Sequence, residues 1–406
     1  MKINFNVMKL PELITYIVSI LLALSIFYFS LNPHMWPEFW GALKIPGNNV
    51  PFSDYKAHLS FLKCQELGIV ISKQECTLIS SGNARINTHP SIWVYLFSLL
   101  NLKNPLIYNI SIVTLFTLYF FILIKLFRTY QNNLSKLVLL IFFFSTTNFI
   151  LIERLATDLV IFLIVYFILN TKNKIFQSLL IFVGFILKYY PIFLITLLTE
   201  RKKYIFTFLT CLMAFISLFY IKEIQLVNKN IVEMALPIAY GSRTMLKAFY
   251  HLSLEYNFFL NDENMNFFRN LTVLSFFMYT LFLVIAGYNN KYLMNTKYKL
   301  DKYFLAGASI YVGTFIIGAN VDYRLIFLVF TIPYIINFES KLIKSLLVFT
   351  YFFSINSFYF IYNDFLSITF FINSLFIFLC KFIILSLLAL LIGVEMKKIN
   401  FFKLKI

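Results

Sequence analysis

With 406 residues, 60% of them hydrophobic and only 13% charged, the chain has too little polar surface to cover itself as a soluble protein must. Its mean hydropathy of +0.79 comes from repeated apolar runs of membrane-spanning length, which predicts an all-α, polytopic membrane protein with one integral membrane domain over 1–406. The formal charge of +17 reads as Lys and Arg in loops beside anionic headgroups, and no nucleic-acid partner is expected, because no basic groove-binding helix or Cys/His finger spacing accompanies it.

The first apolar run, 13–31, leads into NPHMWPEFW without a small-residue cleavage site and is expected to remain as a span. The mixed stretch 32–104 is expected as a first extracytoplasmic loop. It carries Asp54 in NNVPFSDYKAH, His89 in NTHPSIW, and Cys64 and Cys76, which would face an oxidising compartment and are candidates for a disulfide. Further spans are expected at 105–124, 137–152, 158–171, 175–187, 190–199 and 204–221. A second long extracytoplasmic loop at 222–270 precedes spans at 271–288, 303–319, 324–338 and 345–361 and a last one within 366–394. Runs such as LLVFTYFFSINSFYFIY do not alternate, so a transmembrane barrel is excluded. Cys211 and Cys380 lie in apolar runs as packing residues. Lys381 sits inside the last run, either snorkelling to the interface or marking an interfacial helix before a shorter span.

Basic residues in short loops set the orientation. With the N-terminus inside, the cytoplasmic side receives Lys125, Arg128, Lys136, Lys172, Lys174, Arg201, Lys202, Lys203, Lys302, Lys341, Lys344, Lys397 and Lys398 among others, and both termini are cytoplasmic. The pattern holds only if VGFILKYYPIFLITL forms a broken or re-entrant pair near 175–199. Pro191 supplies the break, because it lacks a donor and clashes with the preceding turn, and a break is tolerable where it lines a polar cavity. About 11–13 membrane segments result, as in a bacterial inner membrane.

In this scheme one face collects the costly residues. Glu153, Arg154 and Asp158 lie in ERLATD, Lys188 and Tyr190 in KYYP, and Asp322, Tyr323 and Arg324 in NVDYR, while Asp54 and His89 join from the loop. Charges at the edge of hydrocarbon are expensive unless they face water, a partner or a substrate, so their convergence argues for a site on the extracytoplasmic side.

The order and spacing of ERLATDLVIFLIVYFIL, LLIFVGFILKYYPIFLITLLTERKK and GTFIIGANVDYRLIFLVFTIPYI resemble the polyprenol-phosphate-dependent, mannosyltransferase-like proteins of glycosyltransferase family 87, in the GT-C superfamily. The likeness covers about residues 50–340. It implies a GT-C-like bundle and inverting transfer of a sugar, mannose or a similar hexose or pentose, from a polyprenyl-phosphate sugar to a glycan or glycolipid acceptor in the cell envelope. By the resemblance, Asp54 is the acidic residue of the first loop with a catalytic role, and the family patterns fall on Glu153, Arg154, Asp158, Lys188, Tyr190, Asp322, Tyr323 and Arg324.

The chemistry fits those residue types. The leaving group is an anionic phosphate that needs little acid help, so the acceptor hydroxyl needs a base, assigned to Asp54. Arg324 and Lys188 are assigned to the donor phosphate, one as a fork of donors and one as a point charge. Glu153, Arg154, Asp158, His89, Tyr190, Asp322 and Tyr323 are assigned to orienting sugar or acceptor. Two carboxylates without further clear ligands are weak evidence for a divalent cation, so no cofactor or metal is expected. Two other classes share these features: a transporter or flippase for polyprenyl-linked saccharides, and a lipid-linked polysaccharide polymerase or ligase.

Overall fold

The computed structural model describes residues 10–45, 47–71, 74–76, 89–130, 132–198, 212, 239–244, 262–290, 301–318, 320–361 and 368–398. The expected span at 204–221 apart from Leu212, the basic cluster 201–203, Cys211 and most of the 222–270 loop lie outside these residues.

Fifteen α-helices are found among the described residues: α1 Leu10–Leu31, α2 Trp36–Ala42, α3 Ser53–Glu66, α4 Ile92–Leu99, α5 Pro105–Thr129, α6 Asn133–Phe143, α7 Thr146–Arg154, α8 Thr157–Asn170, α9 Lys174–Leu187, α10 Asp262–Asn289, α11 Lys302–Ile317, α12 Ile332–Ile336, α13 Lys341–Ile355, α14 Ser357–Ile361 and α15 Ile368–Lys398. Two longer 3₁₀ stretches, Tyr190–Leu198 and Asp322–Thr331, interrupt them. A two-residue antiparallel ladder joins β1, Ala239–Tyr240, to β2, Asn320–Val321.

Among the described residues three segments are long and apolar enough to cross a membrane: Pro105–Thr129, Phe267–Asn289 and Ile372–Lys398. A fourth is divided, since α6 and α7 are bent by 47° at Phe144–Ser145. The expectation of one straight span at 137–152 is corrected here, and the cause is local. The Ser145 hydroxyl accepts from the Asn148 amide at 3.2 Å, capping α7, while Asn148 itself is tied to Tyr119 and Thr146 donates to the Ile355 carbonyl at 2.9 Å. A polar STTN run satisfied by side chains restarts the helix instead of continuing it.

The expected break at KYYP is present. Helix α9 ends at Leu187, Lys188 is extended, and Tyr190–Leu198 turns back: Phe193 lies against Gly313 and Thr196 is 3.4 Å from Ser309. The segment therefore runs antiparallel to α11. Asp322–Thr331 does the same, with Phe327 and Thr331 against Gly307. Helix α11 is wrapped on nearly every side, and with α8 and the Asp322–Thr331 segment it forms the centre of the bundle, where Phe162 stacks on Phe330 at 5.1 Å. Packing of this kind, rather than escape from water, holds helices together in lipid. Helices α10 and α15 approach closely through reciprocal glycines, Gly287 against the Leu390 backbone and Gly393 against that of Val284. By contrast the outer face of α10 leaves Phe267, Leu274 and Phe282 exposed, as a lipid-facing helix would.

The contacts divide the bundle into two ends. At one end Arg128 lies over the Tyr16 ring, Lys125 over Tyr166, Tyr303 donates to Asn170 at 3.1 Å, and Tyr334 donates to Glu395 at 2.8 Å. Asn132, Asn173, Asp301 and Ser340 cap α6, α9, α11 and α13. The other end carries α2, α3 and α4, from the expected first loop, and the residues of the candidate site.

Candidate functional site

Asp158 is the centre of the site. Although it stands in the first turn of α8, it does not cap that helix; its fully buried carboxylate is turned toward three donors from two other stretches of the chain. It accepts from Lys188 Nζ at 2.9 Å, Tyr190 Oη at 2.8 Å and Arg324 Nε at 3.1 Å. Arg324 also donates to Asn320 Oδ1 and lies 5.5 Å from the Tyr190 ring centre. The KYYP break brings Lys188 and Tyr190 to the carboxylate, and the chain reversal at NVDYR brings Arg324.

The consequence for Lys188 is a change of assignment. Its side chain is 6% exposed and paired to Asp158, whereas Arg324 keeps 21% of its side chain exposed. A charge already met by a buried carboxylate has little left to offer a phosphate. Two cations against one carboxylate nevertheless leave this group one positive charge in surplus.

A second cluster holds the loop that carries Asp54. Glu153, wholly buried at the end of α7, accepts from the Asn48 amide at 2.8 Å and Trp36 Nε1 at 3.3 Å through one oxygen. Its backbone carbonyl accepts from the Phe52 amide at 3.2 Å, and Asn48 donates to Ser53 at 2.5 Å. Charge-assisted bonds of this type are the stronger class. The loop is thereby clamped onto α7, and Asp54 follows in the first turn of α3. Arg154 Nε is 3.7 Å from the second oxygen of Glu153, and neither atom makes a hydrogen bond among the described residues.

Asp54 itself is half-buried and has no hydrogen bond or ion pair to its carboxylate among the described residues. Its charge nonetheless acts on Glu153, Arg154, Lys188 and Tyr323. Tyr323, next in the chain to Arg324, is within the electrostatic range of Asp158, Arg324, Asp54 and Arg154. The next residue of α3, Tyr55, meets Ser111 at 3.0 Å, and burial raises its pKa, with that bond as a smaller opposing effect.

Both corners leading into the site are left-handed without glycine: Phe52 at φ 56° and Leu155 at φ 46°. Phe52 is anchored by the Trp36 ring at 5.1 Å and the Phe116 ring at 5.6 Å. Non-glycine residues hold such conformations where the surroundings over-determine them.

His89 joins a different neighbourhood. Its ring is 5.0 Å from His58, one turn along α3 from Asp54, and His58 stacks on Trp93 at 5.6 Å. Trp93 in turn donates to the Leu187 carbonyl at 2.9 Å, docking α4 on the end of α9. Cys64 and Cys76 are bonded, with Cα atoms 6.0 Å apart, closing the far end of α3. No group of three metal-ligating side chains is found among the described residues.

Asp322, assigned from the sequence to orienting sugar or acceptor, stands as a buried strut. It is fully buried, accepting from both Lys381 and Ser357 Oγ, the latter at 2.6 Å. Lys381 reaches it at 2.7 and 2.8 Å from the middle of a single continuous α15, so it neither snorkels nor marks an interfacial helix. Asn320 joins with the rest of NVDYR, while Trp36, Asn48, Ser357 and Lys381 complete the site without having been assigned to it from the sequence. Of these only Lys381, a lone charge in an apolar run, carried a signal.

No protein-family model, no curated protein and no solved structure matches this chain.

Proposed function

We propose that the chain is a GT-C-like glycosyltransferase that moves a sugar from a polyprenyl-phosphate donor to an extracytoplasmic glycan or glycolipid acceptor, inverting the anomeric centre. The observation that supports this reading best is Asp54, a half-buried carboxylate without a bonded partner among the described residues, within electrostatic reach of Arg154 and Lys188. Among the described residues Asp158 and Asp322 are met by donors on both oxygens, and Glu153 is wholly buried with two donors on one oxygen. Asp54 is the half-exposed one, with neither oxygen bonded among the described residues, and to it this reading gives the proton.

In the proposed reaction the acceptor oxygen attacks the anomeric carbon as Asp54 removes its proton, and the bond from that carbon to the phosphate oxygen breaks. The polyprenyl phosphate departs with the bonding electrons. Arg324 and Arg154, whose side chains are more exposed than that of Lys188, stabilise its negative charge. A single displacement without an enzyme-bound sugar inverts the centre.

The test is transfer from radiolabelled polyprenyl-phosphate sugars by purified wild type and Asp54→Asn in matched detergent with membrane acceptors. Wild type is expected to form product and the variant to lose at least about 100-fold in rate. Equal transfer would remove Asp54 as base, and no product from wild type across several sugars would shift the reading to transport.

A further inference from the structure

The buried pair between Asp322 and Lys381 is the least expected feature of the molecule. Lys381 lies in an apolar stretch of α15, 59 residues from its partner, with no exposure to solvent or lipid. Its ammonium donates to both oxygens of Asp322 and to the Ala239 carbonyl at 3.2 Å, and its own carbonyl accepts from Tyr311 at 2.7 Å. Asp322 takes a further donor from Ser357, at the start of α14. Five segments meet at this pair: α15, α11, α14, β1 and the chain that leaves β2.

The location matters more than the strength. A buried ion pair is often no better for stability than apolar residues of similar size, because two charges must be stripped of solvent to make it. Stability alone therefore does not account for it. Asp322 directly follows the β1–β2 ladder, in which Ala239 pairs with Val321 and Tyr240 with Asn320, and it opens the 3₁₀ stretch that carries Arg324. Asn320 donates to the Thr314 carbonyl at 2.6 Å and accepts from Arg324. Residues 320–324 are thus held from below by Lys381, and from the side by the ladder. Arg324 then crosses to Asp158 at 3.1 Å.

We propose that Lys381 is a positioning residue that, through Asp322, fixes the turn 320–324 and so sets where the Arg324 guanidinium stands. The effect on sugar transfer rests on the function proposed above; the placement of Arg324 does not.

The experiment separates the two. Lys381→Met alone leaves a buried, uncompensated carboxylate and is expected to misfold. The double variant Lys381→Met/Asp322→Leu removes both charges and is expected to fold. In it, the reaction of Arg324 with phenylglyoxal, followed by peptide mass spectrometry and referenced to Arg154 in the same sample, should rise roughly tenfold over wild type, as expected for losing one charge-assisted restraint. Transfer should fall while the thermal transition stays near that of wild type.

Wild-type Arg324 reactivity in the folded double variant would overturn the proposal. Should that variant fail to fold, Lys381→Met/Asp322→Asn, which keeps an acceptor for Ser357, carries the same expectation and the same overturning result. A rise in Arg324 reactivity with no transfer even by wild type would uphold the positioning role and sink the transferase reading instead.

Discussion

Asp54 and Asp158 are the same residue type in two opposite situations, and their substitution should separate cleanly. Asp158 is buried between Lys188, Tyr190 and Arg324. Replacing it with Asn leaves Lys188 and Arg324 facing each other without a counter-charge, and Asp158→Asn is expected to cost about 3–5 kcal/mol. Asp54 is half-buried and unbonded among the described residues, so Asp54→Asn should leave the thermal transition in detergent within a degree or two, about 0.5 kcal/mol. A melt of both purified variants beside wild type decides it; equal stability would show that the Asp158 cluster is not a closed network. The sequence exposed Asp158, Lys188 and Arg324 because charges beside apolar runs are costly wherever they lie. It could not show that they cancel one another, since that depends on two chain reversals far apart in the sequence. Trp36 and Asn48 were beyond reach for a different reason: an indole and a backbone amide are ordinary in any loop, and only the fold aims them at Glu153.

At the scale of elements the apolar runs located most helices to within a few residues, and the proline marked the break after Leu187. The bend at Phe144–Ser145 was missed because hydropathy averages over it, while a hydroxyl cap acts on one residue. The corner between α7 and α8 offers a test of how such breaks are held. Leu155 closes α7 with φ 46° and ψ 52°, and only 1% of it is exposed. Leu155→Ala would lose the buried side chain and keep the left-handed strain, whereas Leu155→Gly would lose the side chain and relieve the strain. The usual order in which glycine is worse than alanine should therefore reverse, with the Gly variant more stable than the Ala variant by about 1 kcal/mol. Thermal unfolding of the two variants measures this directly. The usual order would mean that the corner relaxes out of the left-handed region once the leucine is trimmed.

For the whole molecule, the two ends of the bundle differ in kind, and the difference carries an orientation. At the end opposite the site, Lys125, Arg128, Lys172, Lys302, Lys341 and Lys398 lie at or near helix termini. Such bases in short connections are retained on the cytoplasmic side. At the site end Lys188, Arg324 and Lys381 are each paired with a carboxylate and count little toward the rule. The site should then face outward, where a lipid-linked sugar and an envelope acceptor would meet it. Ser98, exposed at the end of α4, lies on the site side, and Lys172 and Lys341 are exposed on the other. With a membrane-impermeant maleimide on intact cells, Ser98→Cys should be labelled, while Lys172→Cys and Lys341→Cys should label only after permeabilisation. Labelling of all three from outside would break the alternation of helices through the membrane. Labelling of Lys172→Cys and Lys341→Cys alone would invert the protein and place Asp54 in the cytoplasm, where the bonded Cys64 and Cys76 would meet a reducing environment.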